Sequence, residues 1–180
     1  MSVTGLNLLS EIIIEHQIER ALKNETGSKF KVNISSWWGV SNLNGEIKAF
    51  SAYAKNYSHN GFYAQDLNIE TLCDYTKVAY SDSKLIFKYS TVLKYSATIT
   101  KEQVKSMMFS SDYTRAASKI LSFMNINYGD YLDIVKILKN TKWKIKVDKN
   151  FYVTLYVEQA KYVNNLILID GYILVPKTNL

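Results

Sequence analysis

The longest regular pattern in the chain is LIFKYSTVLKYSATI, from Leu85 to Ile99. Apolar or aromatic residues hold nearly every second position, while lysine, serine and threonine hold most of the positions between them. This alternation is typical of a strand with one face buried and the other in water. At roughly 3.3 Å per residue the stretch would span about 50 Å, so we expect a bend near Ser90–Thr91 to divide it.

Strand patterns also precede and follow this stretch. They are predicted over residues 29–35, 46–57, 62–73, 78–80, 142–147, 151–157 and 166–175. Fourteen Tyr, seven Phe and three Trp fit a sheet-rich fold, because aromatic residues are enriched in strands. Asn44-Gly45 and Asn60-Gly61 are turn signals between consecutive strands. In 46–57 apolar residues fall on both faces, which predicts that both faces are covered or that helices wrap the edge of the sheet. We therefore expect a large, strongly curved antiparallel sheet.

Residues 6–23 predict a long N-terminal helix. Leu9 and Ile13 lie near one stripe, and further isoleucine and leucine residues extend the apolar surface round most of the circumference. A surface helix normally has a narrower apolar face. Either the helix lies across a broad sheet, or one side packs on the sheet while the other meets lipid.

A mid-chain helical segment is predicted to begin at Thr100. Thr100-Lys-Glu-Gln103 fits a capping box, in which each of the two end side chains binds the backbone N–H of the other residue. Met107 and Met108 define an apolar face behind it, and a second helix is predicted over 112–123. Together these patterns predict a single α+β domain covering residues 1–180.

Composition and charge narrow the function. The 180 residues carry a formal net charge of +6, which either favours acidic partners, meaning anionic lipid headgroups or nucleic acid, or is a solubility charge spread over the surface. Nucleic acid is not expected, because only two of the basic residues are arginines and no recognised motif is present. The single cysteine, Cys73, excludes an internal disulfide.

The location of the protein is left open by the sequence. No apolar run reaches the roughly 18 residues that a membrane-spanning helix needs, and the first residues lack the basic and apolar regions of a secretory signal. The chain as it stands predicts a cytoplasmic or membrane-peripheral location, or the cell envelope if a signal has been removed.

No catalytic constellation is visible, so we expect neither an enzyme nor a metal or cofactor. His16 and His59 fall in a predicted helix and a turn, without a partner at metal-ligand spacing. The sequence has no glycine-rich phosphate loop, no G-x-S-x-G and no H-E-x-x-H. Cys73 lies at the end of a predicted strand, with no activating neighbour that would make it a nucleophile.

Two groups of residues suit a membrane surface. Lys142, Lys144 and Lys146 share one face of a predicted strand, about 7 Å apart in succession. Near anionic lipid each could contribute about 1 kcal/mol, although the same pattern fits the plain polar face of an amphipathic strand. Trp37 and Trp38 are adjacent, so at least one is predicted near the surface, where an indole suits a membrane interface. The other is expected to fill a corner of the core.

Three segments carry a family resemblance. They are NGEIK at Asn44–Lys48, NGFYAQDLNIET at Asn60–Thr71 and YSATITKEQV at Tyr95–Val104. In this order, after a helix and a strand, they resemble the LmeA-like family of bacterial phospholipid-binding envelope proteins. The resemblance covers roughly residues 7–175, and the fold of that family is similar to the tubular lipid-binding (TULIP) superfamily.

The resemblance implies a strongly curved sheet wrapped round the N-terminal helix, with an apolar groove that binds or carries phospholipid or a similar amphiphile. Each buried acyl methylene would contribute about 0.8 kcal/mol, and Lys or Trp residues would orient the headgroup. The ligand-binding candidates are Leu9, Ile13, Trp37, Trp38, Met107, Met108, Ile120 and Phe123. The headgroup or membrane candidates are Lys142, Lys144 and Lys146.

Two other functions fit the same sequence. A non-catalytic interaction or structural module would dock a protein partner along an exposed strand edge, and its core would be filled without a ligand cavity. A small enzyme acting on a hydrophobic substrate would need a pocket with converging polar groups, such as His16 and a carboxylate. Lipid binding accounts best for the long strands, the apolar helix and the basic charge taken together.

Overall fold

The structure is a computed structural model that describes residues 3–36, 46–59, 62–72, 78–81, 84–100, 102–103, 139, 142–148 and 151–177. Its elements are α1 (Val3–Thr26), β1 (Phe30–Ser36), β2 (Glu46–His59), β3 (Phe62–Thr71), β4 (Val78–Ser81), β5 (Lys84–Phe87), β6 (Thr91–Thr100), β7 (Lys142–Asp148), β8 (Phe151–Val163) and β9 (Leu166–Val175). All paired strands run antiparallel.

The nine strands form one sheet. Ala52 in β2 pairs with β1 on one edge and with β3 on the other, and Ile47 pairs with β1 and β4 in the same way. β3 and β4 therefore lie one after the other along the same edge of β2. β6 pairs with the outer edge of β3, and β5 pairs with the outer edge of β4. The sheet continues from β6 through β9 and β8 to β7. Within the described residues the sheet is open, and β1, β5 and β7 each pair with a single strand.

The broad sequence predictions are confirmed: the fold is α+β, with a helix followed by a mostly antiparallel sheet. α1 begins three residues earlier than predicted, at Val3, and ends three later, at Thr26. The long stretch from Leu85 to Ile99 is divided as expected, with Lys88–Ser90 between β5 and β6. The division gives its two halves different neighbours, since β5 pairs only with β4 in the described sheet and β6 pairs with β3 and β9.

The core lies on one face of the sheet, where alternate residues of the long strands are buried. In β6 these are Thr91, Leu93, Tyr95, Ala97 and Ile99, and in β9 they are Ile167, Ile169, Gly171, Ile173 and Val175. Pairing of β6 with β9 sets the two rows opposite each other, for example Tyr95 opposite Gly171. Ile18 of α1 is 1% exposed and belongs to the same apolar cluster.

The prediction that both faces of 46–57 are covered is wrong at Tyr53. Phe50, Ala52 and Ala54 are buried, whereas Tyr53, on the opposite face of β2, is 37% exposed. The reason is that the core covers one face of this strand at that point, so only the alternate residues are removed from water.

Three asparagines in or between the strands have the left-handed backbone conformation: Asn56, Asn164 and Asn165. Asn56 has a φ of 50° in the middle of β2 and shifts the alternation by one residue, so that Tyr57 packs against the core with Phe30. Asn164 and Asn165 have φ values of 50° and 65° and form the two-residue connection between β8 and β9. Asparagine tolerates this conformation, and hairpins of this length favour positive φ at both positions.

The capping box at the end of β6 is confirmed. The Gln103 N–H donates to Thr100 Oγ1 over 3.2 Å, and the Thr100 N–H donates to Gln103 Oε1 over 2.9 Å. Glu102 and Gln103 are helical. The rest of the predicted mid-chain helical segment, including 112–123, lies outside the described residues.

Candidate functional site

Ten positions on the outer side of β6, β9, β8 and β7 adjoin one another in register, and we name them the basic tyrosine face. They are Val92, Lys94, Tyr172, Leu174, Tyr152, Thr154, Tyr156, Lys142, Lys144 and Lys146. One row runs across all four strands, because Lys94 pairs with Tyr172, Tyr172 with Tyr156, and Tyr156 with Lys142. Since the alternate residues of β6 and β9 are buried in the core, this face points away from it.

Several apolar groups of this face are open to solvent. The exposed fractions are 40% for Val92, 37% for Leu174 and 38% for Tyr152. Tyr156 and Tyr172 are half-buried. Scattered single apolar residues are common on protein surfaces, but neighbouring ones on one side of a sheet form a patch that a ligand or partner can cover.

The lysines at the two ends of the row have defined contacts. Lys142 Nζ lies 5.2 Å from the centroid of the Tyr156 ring, within the range of a cation–π contact. Lys94 Nζ lies 3.7 Å from Glu70 Oε1, and both side chains are about half exposed. An ion pair in such an exposed position is weak, so Lys94 is free to exchange it for another anion.

The face has one sign of charge. Its ten positions include four lysines and no acidic residue. Glu70 borders the face from β3, where it pairs with Lys94. Asp170 borders it within β9, next to the row of Tyr172. Clustered positive charge raises the local concentration of anions, and tyrosine rings offer an apolar body with a polar tip. The arrangement can therefore hold an anionic group beside an apolar one.

The outer face at β2 and β3 has a different character. The Tyr53 hydroxyl donates a hydrogen bond to Asp66 Oδ1. That bond raises the pKa of Tyr53 above its ordinary value, and burial and the negative charge of Asp66 act in the same direction. Tyr53 is therefore neutral at pH 7, and the carboxylates of this region, Asp66 and Glu70, make it unsuitable as a continuation of the anion-binding face.

α1 is apolar on two sides, only one of which packs on the sheet. Ile14, Ile18 and Leu22 lie on successive turns and belong to the core cluster. Ile12 and Ile13 are 44% and 56% exposed. One side of α1 therefore lies against the sheet, and apolar side chains are exposed on the other; contact of that second side with lipid stays a prediction.

Glutamates fix α1 to the outer strand β1. The Ile34 N–H donates to Glu15 Oε1 over 2.8 Å, and the Val32 N–H donates to Glu19 Oε1 over 3.0 Å. Glu19 Oε2 also lies 3.1 Å from His16 Nδ1. α1 packs mainly against β1 and also touches β5, so it covers one end of the sheet.

The predicted ligand-binding residues are described only in part. Ile13 is on the outer side of α1 rather than between helix and sheet, because Ile14 and Ile18 occupy the inner side. Leu9 lies in α1 one turn before Ile13. The remaining candidates lie outside the described residues: Trp37, Trp38, Met107, Met108, Ile120 and Phe123. Cys73 lies outside them as well.

The three predicted headgroup lysines are alternate residues of β7. Lys142 is exposed, and Lys144 and Lys146 pair in register with Thr154 and Tyr152. Sequence reasoning identified these lysines but missed the tyrosines beside them. The tyrosines belong to two other strands, and only the registers of β7 with β8 and of β8 with β9 bring them to the same face.

The described residues give no sign of a metal centre or a membrane-spanning helix. Among them, no three His, Cys, Asp or Glu residues are grouped so that they could hold a metal ion. Within the same residues, no helix combines the length and apolar character that crossing a bilayer requires.

No protein-family model, curated protein or solved structure matches this chain significantly. The LmeA-like resemblance therefore stays a prediction, carried by the segments Asn44–Lys48, Asn60–Thr71 and Tyr95–Val104.

Proposed function

We propose that the protein binds phospholipid or a similar amphiphile in an apolar groove bordered by α1, and that the basic tyrosine face contacts the anionic headgroups of a membrane surface. The observation that carries the proposal is the composition of this face, which combines four lysine positions and three tyrosines with the exposed Val92 and Leu174 and has the carboxylates of Glu70 and Asp170 at its border. Each lysine near an anionic surface contributes about 1 kcal/mol. Tyrosine favours the boundary between an apolar phase and water, so the same face suits the headgroup region of a membrane.

The acyl chains are assigned to an apolar groove bordered by α1. The exposed Ile12 and Ile13 support this assignment, because they are large aliphatic side chains that the sheet leaves uncovered. At about 0.8 kcal/mol per buried methylene, an acyl chain would supply most of the binding free energy. The proposal includes a strongly curved sheet wrapped round α1, with the mid-chain helical segment completing the groove. The Thr100–Gln103 capping box supports a helix start at that point.

A paired charge reversal tests the role of the face. Lys94→Glu/Lys142→Glu changes two lysines of the basic tyrosine face, and Lys31→Glu/Lys55→Glu changes two exposed lysines on β1 and β2 by the same total charge. Binding to vesicles containing anionic phospholipid is measured at low salt by co-sedimentation. We expect the first variant to lose on the order of tenfold to a hundredfold in affinity, since two lysines contribute about 1 kcal/mol each. The second variant should lose less than about threefold, because its lysines lie apart from the face.

Equal losses in the two variants would contradict the proposal, since net charge alone would then account for binding. Full vesicle binding by Lys94→Glu/Lys142→Glu would contradict it too. If the wild-type chain bound a single-stranded oligonucleotide and not the vesicles, the face would be a stacking platform for nucleic acid instead. Thermal unfolding of each variant, followed by circular dichroism, shows whether the fold is retained.

A further inference from the structure

β1 is an outer strand whose free edge is occupied by side chains of α1. In the described part of the chain β1 pairs with β2 alone. On its other edge, the N–H groups of Val32 and Ile34 donate to Glu19 and Glu15 over 3.0 and 2.8 Å. These backbone groups would otherwise donate to the carbonyl groups of a neighbouring strand.

The spacing of helix and strand makes this arrangement regular. Val32 and Ile34 are two residues apart in the strand, or about 6.6–6.8 Å. Glu15 and Glu19 are four residues apart in the helix, or about 6 Å. The two carboxylates therefore match the spacing of strand N–H groups and act in place of the missing carbonyls. We call this pair of contacts the glutamate clasp.

An outer strand without such a cover is a template for another strand. Its unpaired N–H and C=O groups accept an extended segment from a second chain. The edge of β1 is also regular, because its pairing with β2 runs without interruption from Phe30 to Ser35. Removal of the clasp, together with movement of α1 away from β1, would therefore expose a strand edge that is ready to pair.

The residues of β1 are complementary to a second copy of the same strand. Since the N–H groups of Val32 and Ile34 point outward, an antiparallel pair with its two-fold axis at Asn33 sets outward residues opposite each other. Val32 then faces Ile34 of the second copy, which places apolar residues together. Lys31 faces Ser35 of the second copy, so no two lysines lie directly opposite.

We propose that the outer edge of β1 is a strand-pairing surface for a second copy of this chain, and that the glutamate clasp keeps it covered. When the clasp opens and α1 moves away from β1, the N–H groups of Val32 and Ile34 become exposed, and two copies then join their sheets through β1. This inference does not depend on the binding of an amphiphile.

The test compares Glu15→Ala/Glu19→Ala with the control Glu25→Ala/Glu158→Ala, which removes two exposed glutamates and the same charge. Mass is measured by light scattering over a range of protein concentrations. We expect the clasp variant to double in mass as concentration rises, while the wild type and the control keep one mass. Amide hydrogen exchange at Val32 and Ile34 should be at least tenfold faster than in the wild type at low concentration, and should slow as the dimer forms.

A third substitution identifies the surface that pairs. Ile34→Pro in the clasp variant removes an outward N–H, a change that an edge strand tolerates, and we expect it to abolish the dimer. A clasp variant that keeps the wild-type mass would overturn the inference, as would a dimer that persists with Ile34→Pro. If the double variant does not fold, Glu15→Ala alone is measured in the same way: weaker association in the same direction supports the inference, and an unchanged mass overturns it.

Discussion

Gly171 lies where the surrounding structure leaves no room for a side chain. It lies in β9 opposite Tyr95, and a Cβ atom built there would overlap the backbone carbonyl oxygen of Tyr156 and lie 3.0 Å from the Tyr95 ring. β8 has a bulge between Val157 and Gln159 beside this point, which brings its backbone close to β9. Only glycine fits such an approach between strands.

We expect Gly171→Ala to lower the free energy of unfolding by about 3 kcal/mol, near the upper end for an overpacked core, because a backbone oxygen cannot turn aside as a side chain does. Gly27→Ala is the comparison: Gly27 has a φ of 72° and open space round it, so only conformational strain of about 1 kcal/mol applies. Urea denaturation measures both. Equal effects would show that the contact with Tyr156 is relieved at little cost.

At the residue scale, sequence reasoning succeeds where partners are close in the chain. Thr100 and Gln103 are three residues apart, and their hydrogen bonds were predictable from the pattern alone. Glu15 and Ile34 are 19 residues apart. Their contact depends on how α1 lies against β1. From the sequence alone the glutamates belong to an ordinary polar strip of the helix, and only the structure shows their hydrogen bonds to backbone N–H groups.

At the scale of elements, the end of β6 shows how a strand is converted into a helix start. Thr100 is both the last residue of β6 and the residue whose hydroxyl caps the Gln103 N–H. The cap satisfies a backbone donor that has no partner within the first turn of a helix.

We expect Thr100→Ala to destabilise the protein by about 1 kcal/mol, since the hydroxyl acceptor is lost. Thr100→Ser keeps the hydroxyl and should stay within a few tenths of a kcal/mol of the wild type by the same argument. Chemical denaturation of the two variants measures the difference. If the alanine and serine variants had the same free energy of unfolding, the capping hydrogen bond would contribute nothing to the stability of the protein.

Most element boundaries were predictable because alternation and helical spacing are local. α1, β1, β6 and β9 all begin within three residues of their predicted starts, when β6 is counted from the expected bend. Two exceptions are informative: β8 ends at Val163 instead of Val157, and Asn56 reverses the alternation within β2. Since β2 continues on both sides of this residue, a prediction that assumes one regular strand assigns Tyr57 to the wrong face.

At the scale of the whole molecule, the order of the strands could not be predicted. β9 inserts between β6 and β8, although more than sixty residues separate Thr100 from Leu166 in the chain. The basic tyrosine face exists only because of this insertion, which aligns Lys94, Tyr172, Tyr156 and Lys142 in one row. The sequence identified a lysine strand, whereas the surface beside it depends on non-local pairing.

Because of this strand order, the two ends of the sheet carry different charged residues. At one end, α1 and its glutamates cover the edge of β1. At the other end, β7 brings three lysine positions to an outer strand. Lysine on an outer strand also opposes pairing with other chains, so the charge that we assign to headgroup binding protects this edge as well.

Native mass spectrometry of the protein as purified, with lipid extraction of the same sample, tests amphiphile binding most directly. The proposal predicts a co-purifying phospholipid at defined stoichiometry, and the extract would identify its headgroup. A ligand-free mass, together with no binding to anionic vesicles at low salt, would contradict it.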